Sequence, residues 1–132
     1  ILLRPGSDVT IVATGHLVWE AIEASVELKN YGVDSEVINI HTIKPLDEKI
    51  ILKSVKKTGC IVSAEEHNYM GGLGESISGL LATKCPTPME FVATQDTFGE
   101  SGTPSELMAK YGLNKYAIIQ KVLELKKRMQ IK

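Results

Sequence analysis

The chain has 132 residues, 43% of them hydrophobic and 23% charged, with a formal net charge of -1. That is the size of one compact domain able to bury a core, and a near-neutral balance gives no electrostatic pull toward nucleic acid or an anionic membrane surface. No apolar run reaches the roughly 18 residues of a bilayer-spanning helix, and no signal-peptide pattern is present.

Two cysteines, Cys60 and Cys85, fit neither a disulfide framework nor a zinc site, which wants about four ligands. Cys60 begins an apolar run and reads as core packing, and a cytoplasmic location is the default. The chain opens without an initiator Met inside an apolar stretch, Ile1-Leu2-Leu3, that reads as a strand. It is expected to be a single domain, 1–132, cut from a longer protein. Pro5-Gly6-Ser7-Asp8 reads as a turn. Val9 to Thr14 is β-rich and apolar and ends at Gly15. From Leu17 to Tyr31 the period becomes helical, with Val18, Ala21, Ile22, Ser25 and Leu28 on one face, and Gly32 closes the helix.

Val33 to Ile40 is the next strand, and 41–46 is a connector. Asp47 caps a helix that runs through Val55, and Gly59 stops it. Ile61 to Ala64 is a strand, followed by two acids, a histidine and the turn Gly71-Gly72-Leu73-Gly74. That turn opens a helix carrying Leu73, Ile77, Leu80 and Leu81. After Pro86 and Pro88 comes a strand over 89–93. Thr103-Pro104-Ser105-Glu106 is a capped helix start, and Gly112 ends that helix. The last helix spans about 114–129, with Ile118, Ile119, Val122 and Met129 facing inward. The basic cluster Lys126-Lys127-Arg128 reads as a solvated face.

Strands alternating with helices describe a doubly wound α/β domain with a mostly parallel sheet. With right-handed crossovers, the strand at Val9 is central, with the strand at Val33 on one side and that at Ile61 on the other. Ligands and partners meet such sheets at the carboxyl ends of the strands, where Gly15-His16 and Glu65-Glu66-His67 would converge.

A phosphate could sit at the helix N-terminus after the glycine turn. Yet the order Gly71-Gly72-Leu73-Gly74 is neither G-x-G-x-x-G nor a P-loop, and Glu65, Glu66 and Glu75 oppose a diphosphate. Close helix-to-strand packing or contact with another domain accounts better for these glycines. A histidine beside acids can shuttle protons, but no nucleophile accompanies them, so hydrogen bonding at a rim or interface is the favoured reading. A metal site from His16, Glu65 and His67 lacks helix-face spacing. Trp19 and Tyr69 are placed to cover apolar surface at the same end, and a lone Trp on a helix is expected in the core. The polar loop 95–102 reaches far enough to touch a neighbour.

Four segments carry a resemblance. Asp8-Val9-Thr10-Ile11-Val12-Ala13-Thr14-Gly15, Ile43-Lys44-Pro45-Leu46-Asp47, Ser63-Ala64-Glu65-Glu66-His67 with Gly71-Gly72-Leu73-Gly74-Glu75, and Asp96-Thr97-Phe98-Gly99-Glu100-Ser101-Gly102 occur in that order. Together they resemble the carboxyl-terminal domain of the transketolase family, thiamine-diphosphate enzymes, over nearly the whole chain. The Phe98 loop, Glu106-Leu107 and Tyr111-Gly112-Leu113 look most like the carboxyl-terminal section of a split transketolase. Deoxyxylulose-phosphate synthase shares the Lys-Pro-Leu-Asp and Glu-Glu patterns but differs near Asp96. The beta subunit of 2-oxoacid dehydrogenases shares the fold but usually ends in a proline-rich segment absent here. A stand-alone nucleotide- or anion-binding α/β module is the reading from another class.

The resemblance implies a three-layer α/β/α fold with a five-stranded, mostly parallel sheet whose first strand, from Ile1-Leu2-Leu3-Arg4, runs antiparallel. It implies transfer of a two-carbon ketol unit between sugar phosphates, with thiamine diphosphate and magnesium held by other domains across a dimer. No catalytic, cofactor-binding or metal residue of the family maps onto this chain, which is expected to be inactive alone. The implied partners are the pyrimidine-binding and diphosphate-binding domains of the same enzyme, in a homodimer or split-subunit assembly. His16, Glu65, Glu66, His67, Gly71, Gly72, Gly74, Glu75 and Phe98 are the candidates for that domain or dimer interface.

Overall fold

The computed structural model describes residues 1–41, 44–68, 72–94 and 114–130. Five strands, β1 (Leu2–Arg4), β2 (Val9–Ala13), β3 (Ser35–Asn39), β4 (Ile61–Asn68) and β5 (Met89–Thr94), form one sheet in the order β1-β3-β2-β4-β5. The pairs β2–β3, β2–β4 and β4–β5 are parallel, and β1 runs antiparallel to β3. The central position of β2 and the direction of β1 agree with expectation.

Among the described residues, four helices cover the sheet: α1 (Leu17–Leu28), α2 (Glu48–Thr58), α3 (Leu73–Lys84) and α4 (Lys115–Gln130). Alternation along β2 divides its side chains between two cores. Val9, Ile11 and Ala13 join Val62, Ala64 and Val92 beneath α1 and α4. Val12, Ile38 and Ile61 face α2 and α3. Thr10 points the second way and is fully buried. Its hydroxyl meets Ser54 Oγ at 2.6 Å and Thr58 Oγ1 at 2.7 Å, pinning α2 across the central strand.

The helix ends obey local chemistry. Asp47 Oδ1 accepts from the Ile50 N–H at 3.4 Å at the start of α2, and Gly59, at φ 82°, closes it. A single 3-10 turn over 29–31 follows α1, and Gly32 ends it at φ 74°. Cys60 is buried, its Sγ 3.3 Å from the Asp8 carbonyl; burial pushes the thiol up, as a core cysteine requires.

Four expectations shift. The strand expected over 33–40 is β3 and is shorter, Ser35–Asn39. β4 continues four residues past Ala64, so the acids lie in a strand rather than a loop. Trp19 is 64% exposed rather than core, because the buried face of α1 is Leu17, Ala21, Ala24, Ser25 and Leu28, and Trp19 projects from the opposite side. Met129 is 38% exposed, since α4 buries Ile118, Ile119, Val122 and Leu125 and leaves its last turn in solvent. The helix expected from Thr103 to Gly112 lies outside the described residues. No described helix is long and apolar enough to cross a membrane.

Candidate functional site at the carboxyl rim of the sheet

β2 and β4 are neighbours, paired through Ala13 and Ala64, and a 3.2 Å bond from the Thr14 N–H to the Ala64 carbonyl carries their contact to the rim. The switch point expected from the strand order is therefore present. What stands there differs from the sequence reading in its sidedness.

Successive side chains leave a strand on opposite faces. Glu65 leaves toward α3, as Ser63 does, and is 1% exposed. Its Oε1 accepts from the Leu73 N–H at 2.9 Å and its Oε2 from the Gly74 N–H at 2.6 Å. The carboxylate thus fills the anion-attracting N-terminus of α3, where unpaired N–H groups and the helix dipole favour negative charge. Glu65 does not present itself to a partner, contrary to its place among the interface candidates; it is an internal clamp between β4 and α3.

Glu66 goes the other way and is half-buried. Its carboxylate lies against Gly15: a Cβ at that position would stand 2.5 Å from Glu66 Oε1, and Gly15 has φ +59°. Backbone conformation and close approach both require glycine there. Gly15 and Glu66 meet as expected. His16, the next residue, is exposed at the start of α1 and makes no side-chain cap bond.

Gly72, extended, precedes α3. A Cβ on Gly74 would run into the Phe91 ring and come within 2.9 Å of Ser63 Oγ, so this glycine lets α3 settle on the strands, as the packing reading expected. Glu75 is exposed in the first turn of α3. Gly71, Tyr69, Phe98 and the side chain of His67 lie outside the described residues.

The rim's chemistry follows. A diphosphate at the start of α3 would have to displace Glu65 from both N–H groups and approach Glu75 in the first turn; the described residues there do not fit a diphosphate. Among the described residues no three His, Cys, Asp or Glu side chains stand close enough to share a metal ion. A glutamate serving as such a ligand would surrender the α3 clamp if it were Glu65. Sequence reasoning named Glu65 but missed its role; the signal was the eight-residue interval from Glu65 to Leu73, a strand end facing the next helix start.

Comparison with known proteins bears on the rim's owner. A family model described as "Transketolase, C-terminal domain" matches residues 1–118. The chain is 44% identical over 127 residues to a 6-deoxy-6-sulfo-D-fructose transketolase subunit of Clostridium sp. (strain MSTE9), covering 96% of this chain and 39% of that protein. It is 35% identical over 134 residues to 1-deoxy-D-xylulose-5-phosphate synthase of Desulforudis audaxviator (strain MP104C), covering 99% of this chain and 21% of the synthase. Among solved structures it superposes on a split gene transketolase, described as an inactive beta4 tetramer, with TM-score 0.90 and 38% identity, covering 95% of this chain and 41% of that one. The chain thus spans about two fifths of the transketolase relatives and about one fifth of the synthase.

Proposed function

Because this chain belongs to the transketolase carboxyl-terminal domain family, we propose that it is the non-catalytic carboxyl-terminal portion of an enzyme that transfers a two-carbon ketol unit between sugar phosphates. Thiamine diphosphate and magnesium belong, in this reading, to companion domains that bind the pyrimidine and the diphosphate. The rim around Gly15, His16, Glu66 and the start of α3 serves as a contact surface for those domains and supports a multi-subunit assembly in the cytoplasm.

One observation carries the proposal. The helix N-terminus best placed to receive a phosphate already holds the protein's own carboxylate, Glu65. That arrangement leaves no anion vacancy at the two N–H groups of Leu73 and Gly74, which favours a docking surface over a nucleotide or anion site at the start of α3.

The test is reconstitution with the companion domains and His16→Glu. His16 is exposed at the amino end of α1, where an acid favours the helix dipole, so the substitution spares the fold. We expect assembly, followed by sedimentation, to weaken by at least roughly tenfold through the misplaced charge, with ketol transfer falling in parallel. Unchanged assembly would remove the rim from the interface.

A further inference from the structure

The strand that carries the two rim glutamates does not run straight to its end. Ala64 pairs with Val92 and Asn68 with Thr94, so β4 advances four residues while β5 advances two. The last pair of β4 with β2 is Ala64 with Ala13, so the bulged stretch lies beyond the central strand. A bulge at the end of a sheet re-aims the side chains it carries. Glu65 turns inward and commits both oxygens to the start of α3. Glu66, on the other face, leans on Gly15: a Cβ there would stand 2.5 Å from Oε1, 3.4 Å from Cδ and 4.0 Å from Cγ. Those are its nearest atoms, so Oε2 is turned away from the β2–α1 turn.

The acids of α1, on the same face of the sheet, are engaged within the chain. Glu20 accepts from the Lys115 N–H at 2.9 Å, while Glu27 and Glu23 lie 2.9 Å and 4.0 Å from Lys115 Nζ. Glu66 is half-buried, yet it makes neither a hydrogen bond nor an ion pair with any described residue. A carboxylate drawn partly out of water is disfavoured unless a donor meets it, and its own chain supplies none. The backbone on both sides is shaped to hold it there: the bulge aims it, and Gly15, at φ +59°, leaves the room a side chain would fill.

We propose that Glu66 receives a cationic side chain, a lysine or an arginine, from the companion domain that covers the rim. The inference rests on the docking role proposed for the rim and adds the chemistry of the partner to it. A metal ion is the other cation that carboxylates hold, but it wants several ligands, and among the described residues no three His, Cys, Asp or Glu side chains stand together. A guanidinium or an ammonium needs only the one acceptor, and the charge-assisted bond it forms is stronger than a neutral one. His16, next to Gly15 in the chain, is exposed. His16→Glu would offer that cation a rival acceptor, in line with the weakened assembly expected of it.

The test is assembly of the chain with its companion domains, followed by sedimentation across a salt series, for wild type and Glu66→Gln. The amide keeps the size of the side chain and removes its charge. At low salt we expect the dissociation constant of the variant to rise roughly tenfold. Its dependence on salt should be shallower, since one ion pair fewer is left to screen. The unfolding midpoint of the chain by itself should not move, because Glu66 bonds to nothing within it. A dissociation constant and a salt dependence identical to wild type would overturn the proposal. So would a lower unfolding midpoint for Glu66→Gln without its companions, which would make Glu66 a brace for the chain's own β2–α1 turn. If His16→Glu weakens assembly and Glu66→Gln does not, this inference falls while the rim keeps its docking role. If neither variant weakens it, both fall together.

Discussion

A lone buried carboxylate costs on the order of several kcal/mol, and Glu65 escapes that cost by accepting from two backbone N–H groups at once. Glu65→Gln keeps the shape but turns an amide NH2 toward one of those donors. We expect a loss of ~1–3 kcal/mol, the scale of an unsatisfied buried group, measured by urea unfolding. Glu36 plays a comparable part at the opposite end of the sheet. It is 4% exposed, accepts from the Gly6 N–H at 3.1 Å, and is ion-paired with Lys57. Burial works to raise its carboxyl, but hydrogen bonds from Lys57, Ser54 and Gly6 outweigh it and hold the group below its usual 4.5. A folded-state value lower than the unfolded one adds stability above the unfolded value, and that stability is lost as pH falls through the folded one. Unfolding midpoints should therefore fall as pH drops below 4.5, and Glu36→Gln should flatten that part of the profile; an identical acid limb in the variant would contradict the assignment.

At the scale of elements, glycines and caps were the most legible features. Gly32, Gly59 and Asp47 stop or start their helices where the local signals placed them, because such chemistry needs only near neighbours. The first glycine of α3 was legible in kind: Gly74 faces Phe91 and Ser63, so Gly74→Ala must push helix from sheet, and we expect ~1–3 kcal/mol of destabilisation with a cooperative unfolding transition retained. The length of β4 was not legible. Two glutamates following Ala64 look like loop, and only the α3 N–H groups, distant in sequence when judged by local propensity, make a strand with a buried acid affordable. Missing that extension put Glu65 and Glu66 on one rim when they leave on opposite faces. Trp19 was misjudged differently: its angular position opposite Ala21, Ala24 and Leu28 was available in the sequence, but the general burial of tryptophan outweighed it.

Across the whole molecule, the alternation of apolar runs was enough for the doubly wound architecture, whereas the antiparallel direction of β1 came only through resemblance, since a three-residue strand carries no directional signal. Both faces of the sheet are covered by the chain's own helices, which leaves the carboxyl rim as the proposed place where neighbours are met. The central claim is that the rim docks companions and does not hold the cofactor. Calorimetric titration of the protein alone with thiamine diphosphate and magnesium tests it most directly. The account predicts no saturable heat, in wild type and in Glu65→Gln alike. Stoichiometric binding to the wild-type chain, abolished by acidic substitutions around the start of α3, would contradict it.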